Sequence, residues 1–207
     1  MSENTLIIEP HYFGSIEYFV MLTSYDKVIF EVKEHYRKQT YRNRTKILTA
    51  SGVLPLSVPV QFSNRTAYED VTIDYNQKWI KDHRKAIVSA YAKTPYFDFL
   101  MDDLITCWER KYKYLIELNA ELLTICLRWL QIDMKYEYST EYKKSYSKNY
   151  FDARNRLKAK ISTDRRSISP VHPYVQNFGK TFVPNLSIVD AIMSTGTQVS
   201  EIIEKSK

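Results

Sequence analysis

Three kinds of hydrophobic pattern follow one another along the chain. Near the amino terminus, Thr5-Leu6-Ile7-Ile8 is a short β-prone run that stops at Pro10, as a buried strand does. Phe13-Gly14-Ser15 supplies a turn and an N-cap, and Ile16, Phe19, Val20 and Leu22 follow at helical spacing. Val28-Ile29-Phe30-Glu31 reads as a second strand. Strand, tight loop, helix and strand make a βαβ unit, which predicts a parallel pair. Alternation with period two then takes over. Thr45 to Thr49 and Val53 to Val60 flank Ser51-Gly52, a hairpin signal, with Leu54, Leu56, Val58 and Val60 on one face. Val71 to Asp74 reads as a further short strand.

The middle third changes to a period near 3.6. Trp79, Ile80, His83, Ile87, Val88 and Tyr91 form one stripe, and Phe97, Leu100, Met101, Leu104, Ile105 and Trp108 form another. Between them Thr94-Pro95 reads as an N-cap with proline at the first helical position. A third helix runs from about Leu115 to Leu130. Beyond it aliphatic residues thin out, and Tyr138, Tyr142, Tyr146 and Tyr150 recur every four residues among lysines and serines. On a helix that spacing stacks the rings along one stripe, so an exposed helix or a mobile arm is expected over 138–168. Ser169 to Tyr174 is extended by its prolines. Asn185 is an N-cap candidate for a short helix carrying Leu186, Ile188, Val189, Ile192 and Met193, closed by Gly196. The expected fold is therefore α/β: a small mixed sheet that begins with a βαβ unit, plus a β-hairpin, covered by a largely helical middle third. At 207 residues, one domain (1–207) with the 138–168 segment as an insertion within it is the expected organisation.

Composition adds two points. Seventeen Tyr, nine Phe and three Trp give an unusually aromatic chain, and tyrosine suits clefts because it joins apolar area to a hydroxyl. The net charge of +6 is local. Between Lys135 and Arg166 ten basic residues face four acidic ones, which leaves 20 against 20 elsewhere. A broad electrostatic attraction to nucleic acid is thus disfavoured. Cys107 and Cys126 fall in helix-patterned stretches and read as core, with no disulfide framework and no metal site. No basic leader precedes an apolar stretch, and no apolar run approaches a membrane span, so a cytoplasmic location is expected.

Candidate chemistry centres on His35-Tyr36-Arg37-Lys38-Gln39-Thr40-Tyr41-Arg42-Asn43-Arg44, which holds four permanent cations and no acid. Such a block repels itself unless an anion or a set of acidic side chains neutralises it. Two outcomes are open: an anion-binding cleft, or a solvated basic edge. In a cleft, Lys38, Arg42 and Arg44, with Asn43, would hold phosphates. His11 and Tyr12 would join them from the loop after the first strand, because open α/β sheets bind ligands at the carboxyl ends of their strands. His83 behind Trp79 is a candidate proton carrier. Asp190 with Asn185 offers an acid or a hydrogen-bonding pair. The chain contains no G-x-G-x-x-G, P-loop or G-x-S-x-G, and only four glycines, which disfavours a dedicated ATPase or dehydrogenase. No cofactor is expected.

Several of these features together resemble the WbqC-like protein family. The resemblance rests on Pro10 to Ile16, on Tyr36 to Arg44 followed by Leu56-Ser57-Val58-Pro59-Val60, and on Trp79, His83, Tyr91 and Pro95-Tyr96-Phe97. It is strongest over His172-Pro173-Tyr174 and Phe182 to Asp190. After Asp190 the chain departs from the pattern, with Ala191-Ile192-Met193-Ser194 in place of Leu-Leu-Phe-Asn. The resemblance implies a role in building surface polysaccharides such as O-antigen, and a transferase activity. On that basis the expected partner is a small phosphorylated or nucleotide-activated substrate, with nucleic acid unlikely and no transmembrane segment. The alternative is a non-catalytic binding or scaffold protein of the same pathway.

Overall fold

A computed structural model describes residues 4–158 and 171–207. The sheet at its centre has four parallel strands in the order β7-β2-β1-β8, where β1 is Thr5–Ile8, β2 Lys27–Phe30, β7 Tyr136–Tyr138 and β8 Tyr150–Asp152. Helix α1 (Ile16–Thr23) crosses between β1 and β2, as the βαβ pattern requires, and the Ser15 hydroxyl accepts a hydrogen bond from the Tyr18 N–H at its start. Leu6, Ile8, Val28 and Phe30 point into the core on one face. Period two sends Thr5, Ile7, Lys27 and Ile29 to the opposite face.

The hairpin β3 (Arg44–Thr49) and β4 (Gly52–Ser57) forms a separate antiparallel pair, and β5 (Val60–Gln61) pairs with β6 (Thr72–Ile73). Gly52 sits at φ +102°, where a side chain would be strained. Leu56 and Val58 are buried as the alternation predicts. Leu54 is exposed, because the hairpin tip extends past the core.

Three long helices follow: α2 (Trp79–Tyr91), α3 (Phe97–Glu109) and α4 (Leu115–Leu130). Helix α2 lies on β3, α3 packs on both α2 and α4, and all three pack on α5 (Ile188–Thr195). Helix α6 (Val199–Lys205) closes against α1. Cys107 and Cys126 are buried free thiols, each pushed up to about 12 by burial. Among the described residues, no helix is long and apolar enough to cross a membrane.

Three local expectations are corrected. Thr94 does not cap α3: its hydroxyl donates to the Tyr91 carbonyl and closes the end of α2, while α3 starts after Tyr96. Asn185 does not cap α5. It takes a left-handed backbone (φ 56°), and the Ser187 hydroxyl accepts from the Val189 N–H instead. The tyrosine ladder is not helical. Tyr138 ends β7 and Tyr150 begins β8, on opposite edges of the sheet, and residues 139–149 cross between them without helix. Pairing with the open edges of β2 and β1 offers the ends of this segment backbone hydrogen bonds that outweigh a weakly amphipathic helix. Residues 159–170, which include the end of the expected insertion and the start of the proline-rich stretch, lie outside the described residues.

Candidate functional site

The loop that leaves β1 is where the distant parts of the chain meet. Its Tyr12 N–H donates to the Tyr41 carbonyl, its Phe13 carbonyl accepts from Thr45 and Ser187, and its Pro10 carbonyl accepts from Tyr68. Successive residues of the loop serve two different polar centres.

The first centre lies at the carboxyl ends of β1, β2 and β8 and contains Glu9, Glu31 and Glu34, all buried. Each Glu follows an apolar strand closely, which delivers its carboxylate to the place where parallel strands end. Arg42, only 1% exposed, donates to Glu34 at 2.7 Å and lies 3.7 Å from Glu9. Asn155 knits the acids together. Its left-handed backbone (φ 58°), which asparagine tolerates, aims its N–H at Glu9 at 3.0 Å, while its side-chain amide donates to both Glu34 oxygens and its carbonyl accepts from Arg42. Beside them Glu31 accepts from Ser139 at 2.8 Å and from the N–H of Lys33, and pairs with Arg154 at 3.2 Å. Arg154 also holds Asp152 at 2.6 Å.

His11 joins this network. Its Nε2 stands 3.7 Å from Glu9, and its ring stacks on Tyr18 at 4.2 Å between centroids, with Tyr41 at 5.4 Å. Burial alone would raise the Glu9 carboxyl, but the Arg42 charge, His11 and the Asn155 N–H outweigh it and hold the pKa down at about 2. Glu9 is therefore ionised at any physiological pH, and a carboxylate facing an imidazole orients it and stabilises its protonated form.

In and around this network three donors are buried with no hydrogen-bond partner among the described residues: the Arg42 Nε, the Arg44 Nε and the Tyr36 hydroxyl. Burial pushes the Tyr36 phenol well above its usual range, and the charges of Arg42 and Arg44 act against that shift. Lys38 is exposed, and Arg37 reaches back to Glu34 at 2.9 Å.

The second centre is neutral. Tyr12, fully buried, meets the His83 Nδ1 at 2.8 Å, and the Ser57 backbone carbonyl takes the ring's other N–H, which makes the tyrosine hydroxyl the donor. Burial lowers the His83 pKa to about 4, so it stays neutral near pH 7. Trp79 packs against His83 at 5.2 Å between centroids, and both border a cleft of about 310 Å³ along β4.

The remaining sequence candidates fall elsewhere. Asp190 is fully buried and accepts from Tyr91 at 2.7 Å and Tyr174 at 2.6 Å, which ties the His-Pro-Tyr segment to α2 and α5. Burial raises its pKa, against the lowering effect of both phenols. Asn43 donates to the Val58 carbonyl and fixes the hairpin's exit.

The structure thus brings His11, Arg42 and Arg44 to one neighbourhood, places Tyr12, Trp79 and His83 in a second, and Asp190 in a third. Sequence reasoning missed Glu9, Glu31, Glu34 and Asn155. The signal was present for the first two, since an acid directly after an apolar strand (Ile8-Glu9, Phe30-Glu31) sits at the sheet's binding edge. Nothing local flags Asn155. Among the described residues, no group of three or more His, Cys, Asp or Glu is placed to hold a metal ion.

Comparison with known proteins gives a family and no activity. An uncharacterized protein of Mycobacterium tuberculosis, Rv1507c, is 28% identical over 139 residues, covering 66% of this chain and 60% of its own length. The chain therefore spans about three fifths of the curated relative it matches. No solved structure matches. The model of the WbqC-like protein family matches residues 9–162, from Glu9 through the helical third, and stops before the Phe182 to Asp190 segment. With the greater part of its length matched, this chain belongs to the WbqC-like family.

Proposed function

We propose that the chain is a group transferase acting on a phosphorylated or nucleotide-activated precursor of surface polysaccharide, with the His11–Glu9 pair as its acid–base centre. One observation carries this reading: a histidine paired with a permanently ionised, buried glutamate, at the carboxyl ends of parallel strands. His11 takes the proton from the attacking hydroxyl or amine of the acceptor, and Glu9 stabilises the imidazolium that results. Arg44, Lys38 and the Tyr36 hydroxyl are the donors left to meet phosphate oxygens. Arg42 is not counted with them, because Glu34, Asn155 and Glu9 engage both of its terminal nitrogens and only its Nε is left without a partner. Its role in this reading is to keep Glu9 charged and the loop after β1 in place. His83 and Asp190 have their polar atoms engaged and serve as internal fastenings. The surface-polysaccharide setting comes from the family resemblance, as does the choice of a transferase.

The test has two parts. Nucleotide sugars should raise the melting temperature, since ligand at about 100 times its Kd stabilises by roughly 2.7 kcal/mol. His11→Gln should keep that stabilisation and lose turnover, read as release of nucleoside diphosphate, by about 10²-fold or more. If nucleotide sugars, nucleotides, pyrophosphate and sulfate all leave the melting temperature unmoved, the reading fails. A non-catalytic binding protein is the second reading, favoured by the internal neutralisation of Arg42 and Arg154. It is preferred if stabilisation occurs with no turnover in any acceptor mixture.

A further inference from the structure

Residues 139–149 run across the face of the parallel sheet that carries Ile29, leaving a groove of about 530 Å³ between this strap and the strands. That volume lies within the range of about 300–1,000 Å³ typical of small-ligand sites. The groove is not a simple gap in packing, because the strap is fastened by the Glu31–Arg154 pair. Ser139 is held by Glu31 and the Val32 N–H. The Arg154 guanidinium, paired with Glu31, lies over the rings of Tyr142 and Tyr146, 5.2 Å from each centroid, and donates to the Lys143 carbonyl at 2.8 Å.

The chemistry of the lining narrows the guest. Tyr146 and Tyr150 offer two phenol rings 5.4 Å apart and tilted by 42°. Register places Tyr150 on the same face as Ile7, so its ring stands on the groove side of β8. Thr140, Ser145 and Ser147 add hydroxyls, each both donor and acceptor. The charges at the groove cancel within the protein: Glu137 pairs with Lys27 at 2.8 Å and Glu141 with Lys143 at 3.2 Å. Among the described residues that line the groove, Lys143 is the one cation and is already paired with Glu141, so an anionic guest would meet Glu137 and Glu141 there; Lys144 and Lys148 of the strap are exposed but do not line the groove. An added peptide strand is equally ill served, because the edge strands β7 and β8 have three residues each. Flat apolar faces flanked by uncharged donors and acceptors suit a ligand with C–H faces and many hydroxyls.

We infer that this groove is a saccharide-binding site, taking a neutral oligosaccharide against Tyr146 and Tyr150 with the strap hydroxyls on its rim. Glu31 and Arg154, which hold the lining residues Ser139, Lys143 and Tyr146, stand next to the network that contains Glu9 and His11. An oligosaccharide there would lie beside the proposed acid–base pair in the position of a group acceptor. That last assignment rests on the proposed function, whereas the binding site itself does not.

The test uses the full chain with mannotetraose, chitotetraose and maltotetraose as neutral probes and a heparin tetrasaccharide as the anionic one, read by saturation-transfer NMR and titration. At least one neutral probe is expected to bind at millimolar Kd or better. Ser145→Trp, which fills the groove from an exposed position, and Tyr150→Ala should each weaken it by about tenfold or more. Melting temperatures confirm that both variants fold. Binding of none of the neutral probes, preference for the heparin fragment, or neutral binding that survives both substitutions overturns the inference. Loss of saccharide binding with nucleotide-sugar stabilisation intact refutes the groove alone. Saccharide binding without any nucleotide-sugar response refutes the transferase reading and leaves the groove standing.

Discussion

His11 and Tyr12 are neighbours in sequence and lead into opposite kinds of interior. On one side, Glu9 stays ionised among two further buried glutamates and two arginines that pair with them. On the other, a tyrosine and a histidine equally removed from water stay neutral. Burial is common to both, so burial alone decides neither. The Arg42 guanidinium close to Glu9 outweighs the desolvation of that carboxylate, whereas the Ser57 carbonyl and the Asp82 charge, which favour the protonated ring, do not outweigh the burial of His83. The comparison teaches that a charged centre needs its counter-charges delivered from several elements at once. Here they come from the loop before β3 and the turn after β8. A neutral centre needs only one well-placed hydroxyl and one carbonyl.

The largest expected effect comes from breaking the charged side. Arg42→Ala leaves Glu34 and Glu9 buried without their cation and should cost about 3–5 kcal/mol in denaturant unfolding. Removing one partner is worse than never having had the pair. If the loss is within about 0.5 kcal/mol, as for ordinary surface substitutions, the network is not built as described.

Acid titration separates the two centres by window. Glu9 has its folded pKa depressed from 4.5 to about 2, so its contribution is complete above 4.5 and is lost as pH falls towards 2. Integrated over that shift, the contribution is on the order of 3 kcal/mol. His83 is depressed from 6.5 to about 4, and the unfolded chain takes up the proton first. The native state therefore loses stability as pH falls from 6.5 towards 4, again by up to about 3 kcal/mol. Stability curves measured from pH 7 to 2 should show both losses. His83→Gln should flatten only the upper one and Glu9→Gln only the lower one.

A smaller effect sharpens the neutral side. Tyr12→Phe removes the donor to His83 Nδ1 and leaves that nitrogen buried without a hydrogen bond, a cost of about 1–3 kcal/mol by thermal unfolding. Smallest of all, Lys38→Ala should change stability by no more than about 0.5 kcal/mol, because Lys38 is exposed. Under the proposed function it should nonetheless weaken nucleotide-sugar binding. A stability loss without a binding loss would remove Lys38 from the site.

Much of the fold was legible because it depends on local periodicity. The βαβ start, the hairpin around Gly52 and the three central helices follow from spacing that any short window contains. The tyrosines at 138–150 show where local reading stops. A four-residue repeat is compatible with helix, and only the outer edges of β2 and β1, contributed from far away in sequence, turn its ends into strands. The site divides in the same way. The basic block before Arg44 was visible as a charge that had to be neutralised somewhere. That Arg42 meets Glu34 and Glu9, while Arg44 and Tyr36 keep buried donors unclaimed, depends on which side chains the folded loops bring face to face.

The amino-acid order thus determined which segments could be strands or helices and where the positive charge collects, since both are set by residues near one another in the chain. Tertiary structure decided which acids answer that charge, which histidine stays neutral, and where a groove is left open. Those outcomes depend on water excluded and charges opposed across more than a hundred residues, as between Glu31 and Arg154.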